Sequence, residues 1–189
     1  MKKRIFVAVD ISEDARRQTS CYIESLRGEF ENLRVGWEKP EKLHLTLKFL
    51  GDADERQLKE LQKIVENIAA RISPFRLRIA ETGVFPSVKK ARVLWIDVKD
   101  ERGSLAKINE NLEIECARIG FAAENRNFKP HLTIARLKDA NAAKSLIEKH
   151  LADTVEPAEF EVAEIVIYES RLQPAGSIYQ KLTTVQLKN

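Results

Sequence analysis

The stretch HLTLKFLG, residues 44–51, has a near copy in HLTIARLK, residues 131–138, and together they hold two of the three histidines in the chain. Apolar residues alternate with polar ones through the His-Leu-Thr part of both stretches, as in a strand with one buried face. Residues two apart on a strand share a face, so each histidine lies beside the threonine of its own motif. The repeat therefore predicts two similar units, each with a His-x-Thr pair mounted on a strand that the core holds rigid.

Hydrophobic periodicity sets both motifs into the same strand and helix order. RIFVAVD, residues 4–10, predicts a strand, and Ser12 is the predicted N-cap of a helix that ends near Phe30. Another amphipathic helix is predicted between Asp54 and about Ile72, after the first motif. A second strand–helix–strand–helix pattern follows from about residue 91 to 150, and FEVAEIVIYES and SIYQKLTTVQL predict two further strands. We therefore predict an α+β protein with one bilobal domain over residues 1–189.

Composition and the N-terminal sequence argue against a secreted or membrane-spanning protein, but they do not identify a binding partner. The 189 residues suffice for one domain with a real core, and the net charge of 32 − 29 = +3 is too small to identify a polyanion partner. The N-terminal MKKRIFVAVD lacks a secretory or membrane-spanning apolar segment, so we expect a cytoplasmic protein without membrane association. Without an export signal, Cys21 and Cys116 are predicted to be reduced core thiols.

A pair of opposed His-x-Thr motifs has the functional groups that phosphodiester cleavage requires. Imidazole titrates near neutral pH, so one histidine can donate a proton while the other accepts one. A threonine hydroxyl can hold a non-bridging phosphate oxygen without adding charge. The spacing offers neither a metal-ligand cluster nor a Gly-rich phosphate loop, and we interpret His150, on a short predicted helix, as a structural residue.

The motifs and their flanks carry a resemblance over nearly the whole chain. HLTLKFLG, GVFPSVKKARVLW, FKPHLTIAR and the tail IYES…PAGSIYQKL are similar to the two-histidine phosphoesterase superfamily, and within it to the RNA 2′,3′-cyclic phosphodiesterases, also called 2′-5′ RNA ligases. The resemblance implies a bilobal duplicated fold in which two antiparallel sheets line a central cleft, with the helices outside. It also implies a monomeric hydrolase that uses neither a metal nor a cofactor.

Residue roles follow from the same resemblance. It implies that His44 is the general acid, that His131 is the general base, and that Thr46 and Thr133 bind the phosphate oxygens. The expected substrate is an RNA end with a 2′,3′-cyclic phosphate, tRNA fragments among them, and the expected product is a 2′-phosphate. The resemblance also implies that the same histidine pair can join a cyclic phosphate end to a hydroxyl, and microscopic reversibility thereby connects this chemistry to the ligase name.

Three basic residues are further candidates for RNA contacts. Arg136 matches a family arginine near the substrate, but strand parity points it away from His131 unless a bulge re-aims it. Lys48 shares its parity with His44, and Arg92 precedes the strand VLW. Lys48 and Arg136 fit a second interpretation equally well, in which each is a charged surface residue that contacts only solvent.

Aromatic residues near the motifs allow two interpretations. Phe49, Trp95 and Phe128 are candidates for stacking on a base, although alternation with leucine favours the core for Phe49 and Trp95. Two alternatives to the RNA phosphodiesterase also stay open at this stage. One is hydrolysis of small cyclic nucleotides or of cyclic ADP-ribose phosphate, and the other is a non-catalytic module that binds RNA ends.

Overall fold

The computed structural model describes residues 2–174 and 176–188 of the chain. Its strands and helices follow in the order β1 (Lys3–Asp10), α1 (Glu13–Glu29), β2 (Val35–Trp37), β3 (His44–Ala53), α2 (Glu55–Ala69), β4 (Phe75–Phe85), β5 (Val93–Lys99), α3 (Ser104–Arg118), β6 (His131–Leu137), α4 (Lys144–Ala152), β7 (Glu159–Val162), β8 (Glu164–Arg171) and β9 (Ile178–Gln186). No helix in these ranges is long and apolar enough to span a bilayer.

The strands pair antiparallel throughout, in the order β7-β4-β5-β6-β3-β1-β8-β9, with β2 beside β6. Two four-stranded parts are distinguishable: the His44 half (β3, β1, β8 and β9) and the His131 half (β6, β5, β4 and β7). They meet where Leu45 of β3 pairs with Leu132 of β6. The α+β class and the two antiparallel sheets are thus confirmed, and the structure adds that the sheets are continuous at this seam.

The helices cover one face of the sheet because their apolar faces need burial. α2 begins with a capping box, in which Asp54 and Gln57 satisfy each other's backbone amides, and it buries Leu61, Val65 and Ile68. On β3, Leu45 and Leu47 are buried in the same core. The opposite face of the sheet is left for the motif histidines and threonines.

The tail differs from its sequence pattern. FEVAEIVIYES was predicted as one strand, but β7 and β8 are separate strands with Ala163 between them. β7 pairs with β4 in the His131 half, whereas β8 pairs with β1 in the His44 half. The segment gives no sign of such a break, because no Gly or Pro lies within it. The sequence also did not predict β2, whose three residues are too few to show a period.

The two cysteines are free, and their environments differ. Cys116 is buried on α3, and burial raises the pKa of its thiol to about 12. Cys21 is exposed on α1, so the prediction of a core thiol is wrong there. Its position on α1 points away from the buried stripe of that helix, which includes Thr19, Ile23 and Leu26.

Candidate active site

The seam between the two halves brings the motifs together. Because Leu45 pairs with Leu132 in antiparallel register, the next residues along place His44 across from Thr133 and Thr46 across from His131. All four side chains alternate with buried leucines or isoleucine and are half-buried on the face away from the helices. The predicted His-x-Thr pairs therefore form one site on a shared surface.

Each imidazole is held by the carbonyl group two residues before it. His44 Nδ1 lies 2.6 Å from the carbonyl oxygen of Lys42, and His131 Nδ1 lies 2.7 Å from that of Lys129. A carbonyl oxygen only accepts, so Nδ1 carries the proton in both rings. His44 Nε2 then accepts from the Thr46 hydroxyl at 3.0 Å. Both rings are fixed in the tautomer whose Nε2 can exchange a proton with a substrate.

Burial keeps both imidazoles neutral at pH 7. Removal from water lowers the pKa of His44 to about 4, opposed by the Lys42 carbonyl and the Asp10 carboxylate. Burial also lowers the pKa of His131, and the nearby cations of Arg136 and Lys129 lower it further. A charge on His131 lowers the pKa of His44, so the two rings interact electrostatically.

A bulge in β3 corrects the expectation for Lys48. Thr46 pairs with Ala8 and Lys48 pairs with Val7, so Leu47 is the extra residue and the parity of the strand changes after it. The ammonium group of Lys48 therefore lies on the helix side, where it is 2.5 Å from Glu113 Oε2 and donates to the carbonyl of Ala122. Lys48 is buried and does not line the cleft.

The same bulge moves Phe49 onto the face of the histidines. It pairs with Phe6, its ring centroid lies 5.6 Å from that of Phe6, and 65% of its surface is exposed. The interpretation of Phe49 as a core residue is therefore wrong. Trp95, by contrast, pairs with Thr133 on the face of the site but is only 6% exposed beneath the Lys129 ammonium, 3.9 Å from its ring. Phe128 packs partly against the core.

A matching bulge in β6 re-aims Arg136. Thr133 pairs with Trp95 and Ala135 with Leu94, which makes Ile134 the extra residue. Arg136 consequently returns to the face of His131, where it is exposed and its charge acts on that histidine. The bulge that Arg136 needs in order to face the same way as His131 is therefore present, although nothing in the sequence marked it.

Arg92 and His150 lie away from the two motif histidines. Arg92 Nη1 donates to the carbonyl of Lys138, past the end of β6, and no contact joins it to either imidazole among the described residues. His150 is buried, and its Nε2 donates to the carbonyls of Gly83 and Trp95 at 3.1 and 3.2 Å. Its Nδ1 accepts from the Tyr22 hydroxyl at 2.9 Å, so the structural interpretation of His150 is confirmed.

Three aromatic rings lie near His44, whereas two, Phe85 and Trp95, lie near His131. The centroid of Phe6 lies 4.9 Å from that of His44, Tyr179 stands edge-on at 5.3 Å and Tyr168 lies at 6.0 Å. These rings come from β1, β8 and β9, which are distant in sequence from the motif. Tyr168 and Tyr179 lie in the tail IYES…PAGSIYQKL, but sequence reasoning gave neither a role because only strand pairing brings them to His44.

The described residues include no cluster of three or more His, Cys, Asp or Glu side chains arranged to hold a metal ion. The chemically active groups at the cleft are thus two neutral imidazoles, two hydroxyls and the Arg136 guanidinium. These groups can exchange protons and bind an anion.

This arrangement defines the chain as a two-histidine phosphoesterase, with one His-x-Thr motif from each half of an antiparallel sheet. The chain belongs to the 2′-5′ RNA ligase superfamily, whose sequence model matches residues 13–173. It is 33% identical to an RNA 2′,3′-cyclic phosphodiesterase of Methanothermobacter thermautotrophicus over 99% of this chain and 100% of that protein. It is 34% identical to one of Methanocaldococcus jannaschii over 94% of this chain and 96% of that protein.

Solved structures agree on the fold. A Thermus thermophilus protein, TT0787, superposes with a TM-score of 0.77 at 27% identity and covers 97% of both chains. The Escherichia coli LigT structure in complex with 3′-AMP superposes with a TM-score of 0.74 at 24% identity over the full length of both chains. The two-half antiparallel sheet with external helices is therefore a fold that these proteins share.

Proposed function

We propose that this chain is an RNA 2′,3′-cyclic phosphodiesterase that opens a terminal cyclic phosphate to a 2′-phosphate by acid–base catalysis. The observation that carries the proposal is the pair of imidazoles, His44 and His131, fixed in the same tautomer beside two threonine hydroxyls on one surface. Relatives of nearly the same length carry the name of this activity at 33% and 34% identity.

The reaction begins when the cyclic phosphate enters between the two motifs. Thr46 and Thr133 donate hydrogen bonds to its non-bridging oxygens, and Arg136 offers a cation to the same group. The negative charge of the phosphate raises the proton affinity of the nearby imidazoles, so His44 enters the reaction protonated at Nε2 although burial lowers its pKa to about 4 in the free protein.

Hydrolysis then moves one proton at each histidine. Nε2 of neutral His131 takes a proton from water as the water oxygen bonds to phosphorus. The bond between phosphorus and the 3′ oxygen breaks, and His44 Nε2 gives its proton to that oxygen. The products are a 3′-hydroxyl and a 2′-phosphate monoester, and the net change is the addition of one water molecule. If a 5′-hydroxyl takes the place of water, the same steps join it to the cyclic phosphate end: the 5′ oxygen bonds to phosphorus, the bond to the 3′ oxygen breaks, and a 2′-5′ phosphodiester forms, which accounts for the ligase name.

One exposed ring near the histidines is placed to hold a base of the RNA end. Phe49 lies beside Phe6, on the face of the histidines, and offers an uncovered surface to a base. Stacking on aromatic rings is a common way for proteins to hold single-stranded RNA. We infer that tRNA fragments with cyclic phosphate ends belong to the substrate class.

The test is incubation of chelator-treated protein with a short RNA that ends in a 2′,3′-cyclic phosphate, followed by identification of the phosphate isomer. We expect a 2′-phosphate, and we expect His44→Ala to slow its formation by about 10²–10⁴-fold while thermal unfolding shows an intact fold. Turnover of adenosine 2′,3′-cyclic phosphate but not of the RNA would favour a small substrate. Binding of the RNA without turnover would favour a non-catalytic module and overturn the proposal.

A further inference from the structure

A carboxylate lies directly across the neighbouring strand from each motif histidine. Asp10 of β1 pairs with His44 of β3, and Asp97 of β5 pairs with His131 of β6. Side chains of directly opposed residues share a face, with Cβ atoms about 4.5–5.5 Å apart. The two halves of the sheet thus repeat a His-Asp pair as well as the His-x-Thr motif.

The two carboxylates differ in how completely their charge is compensated. Asp10 accepts a hydrogen bond from the Tyr168 hydroxyl at 2.6 Å and lies 2.6 Å from the Lys181 ammonium. The ion-pair partner of Asp97 among the described residues is Lys99, at 3.5 Å, and Lys99 is shared with Glu81 at the same distance. Asp97 therefore retains more of its negative charge for the histidine that it faces.

Other charged groups also act on the two imidazoles, in addition to Asp10 and Asp97. Arg16 of α1 and His131 act on His44, which also lies beside the phenols of Tyr168 and Tyr179. Lys129 and Arg136 act on His131, and both oppose a positive charge on it. A carboxylate with little compensation is needed at His131 if that ring is to become a cation during turnover.

We propose that Asp97 is a positioning residue that stabilises the imidazolium formed on His131, whereas Asp10, bound by Tyr168 and Lys181, leaves His44 free to release its proton. The inference rests on the proposed function, because it assigns the direction of proton movement in that reaction. During hydrolysis one positive charge leaves His44 and one appears on His131. The positive charge thereby moves from the histidine beside Asp10, whose charge is compensated, to the histidine beside Asp97, whose charge is compensated less.

The first test is measurement of the imidazole titrations by NMR in the free protein, which requires no turnover. Asp97→Asn should lower the pKa of His131 by more than Asp10→Asn lowers that of His44. Lys99→Met should act with the opposite sign, because it removes the partner that compensates Asp97, and it should raise the pKa of His131. Glu81→Gln is the matched control, since it removes an exposed carboxylate that also contacts Lys99 but lies on β4, away from the two motif strands.

The second test is the pH–rate profile with the cyclic phosphate RNA. Asp97→Asn should lower kcat by on the order of tenfold to a hundredfold with little change in KM, because the lost attraction exists only while His131 is charged. Glu81→Gln should leave kcat within about twofold.

Two outcomes separate the failure of this inference from that of the proposed function. Unchanged titration of His131 in both Asp97→Asn and Lys99→Met would overturn the role of Asp97 even if the wild-type protein cleaves RNA. Absence of wild-type turnover would overturn the proposed function and with it the catalytic role of Asp97, whereas the titrations would still measure the electrostatic pairing. A misfolded Asp97→Asn would leave Lys99→Met as the deciding variant.

Discussion

The two halves of the sheet carry the same motif in different surroundings. In the His44 half, three aromatic rings enclose the imidazole, and the acidic neighbour Asp10 is fully engaged. In the His131 half, Phe85 and Trp95 flank the imidazole, and the cations of Arg136 and Lys129 act on it. The motif fixes where the rings sit and which nitrogen is protonated, while their environments distinguish an acid from a base.

The backbone that holds each imidazole is also supported differently. Arg16 of α1 donates to the carbonyls of Pro40 and Leu43, on either side of the Lys42 carbonyl that holds His44. In the other half the equivalent carbonyl belongs to Lys129, whose side chain is used to cover Trp95. The His44 support thus involves a side chain from a helix, whereas the residue that supports His131 is itself packed on an aromatic ring.

The largest expected effect separates the two histidines by their roles. His44→Ala and His131→Ala should each lower kcat/KM on the RNA by about 10²–10⁴-fold, since each removes one general acid or base. On an aryl phosphodiester such as bis(4-nitrophenyl) phosphate, whose leaving group needs no proton, His44→Ala should lose much less than His131→Ala. Equal losses on both substrates, measured by steady-state kinetics, would refute the assignment of acid and base.

Aromatic substitutions sharpen the comparison between an exposed and a covered ring. Trp95→Ala should destabilise the fold by about 3–5 kcal/mol, because the ring is packed over Gly83 and Phe85. Phe49→Ala should change stability little but weaken binding of a cyclic phosphate oligonucleotide by about 1–3 kcal/mol. Urea unfolding and titration with a labelled RNA measure the two effects. A strongly destabilised Phe49→Ala would mean that this ring is part of the core after all.

Substitution of Gly83 tests how closely the Trp95 ring is packed in the His131 half. A Cβ atom added at Gly83 would lie 2.2 Å from the Trp95 ring, so Gly83→Ala should cost about 1–3 kcal/mol in the free energy of unfolding. A Cβ atom added at Gly28 of α1 would have no neighbouring atom within 4 Å. Gly28→Ala is therefore the control, and it should be neutral or slightly stabilising. Equal stability of both variants would show that the Trp95 ring can move aside.

A further expected effect is on stability at low pH. His44 has a lower pKa in the folded protein, about 4, than the 6.5 of a free histidine, so the unfolded chain binds the proton first. Its contribution to stability is complete above pH 6.5 and is lost as the pH falls toward 4. Urea unfolding between pH 7 and 4 should show a shallower decline for His44→Gln than for the wild type. Parallel declines would indicate that the His44 ring is accessible to water in the folded state.

The sequence predicted the elements that have a local signature and missed those that depend on register. The His-x-Thr faces and the Ser12 cap follow from alternation and capping rules. The orientations of Lys48 and Phe49 were wrong because one inserted residue in β3 reverses a strand's parity, and no residue type announces that insertion.

The acidic and phenolic part of the site was likewise beyond local reasoning. Asp10, Asp97 and Tyr168 each reach a histidine through pairing between strands, and strand pairing depends on the whole topology. Arg136 shows the limit most clearly, because its relation to the site depended on a bulge that only the ladder between β5 and β6 reveals.

The division of the tail at Ala163 affects the order in which the molecule can be assembled on the ribosome. β1 and β3 lie near the start of the strand order, yet β8 and β9, which complete their half of the sheet, are made after all the other strands. Until β8 has left the exit tunnel, one edge of β1 has no partner strand and the Tyr168 partner of Asp10 is missing, and the Lys181 partner arrives later still, on β9. Pairing of such distant segments is slow and leaves an open strand edge in the nascent chain. Truncation from the C-terminus should therefore damage the wall around His44, the motif farthest from the cut in sequence, before it reaches the wall around His131.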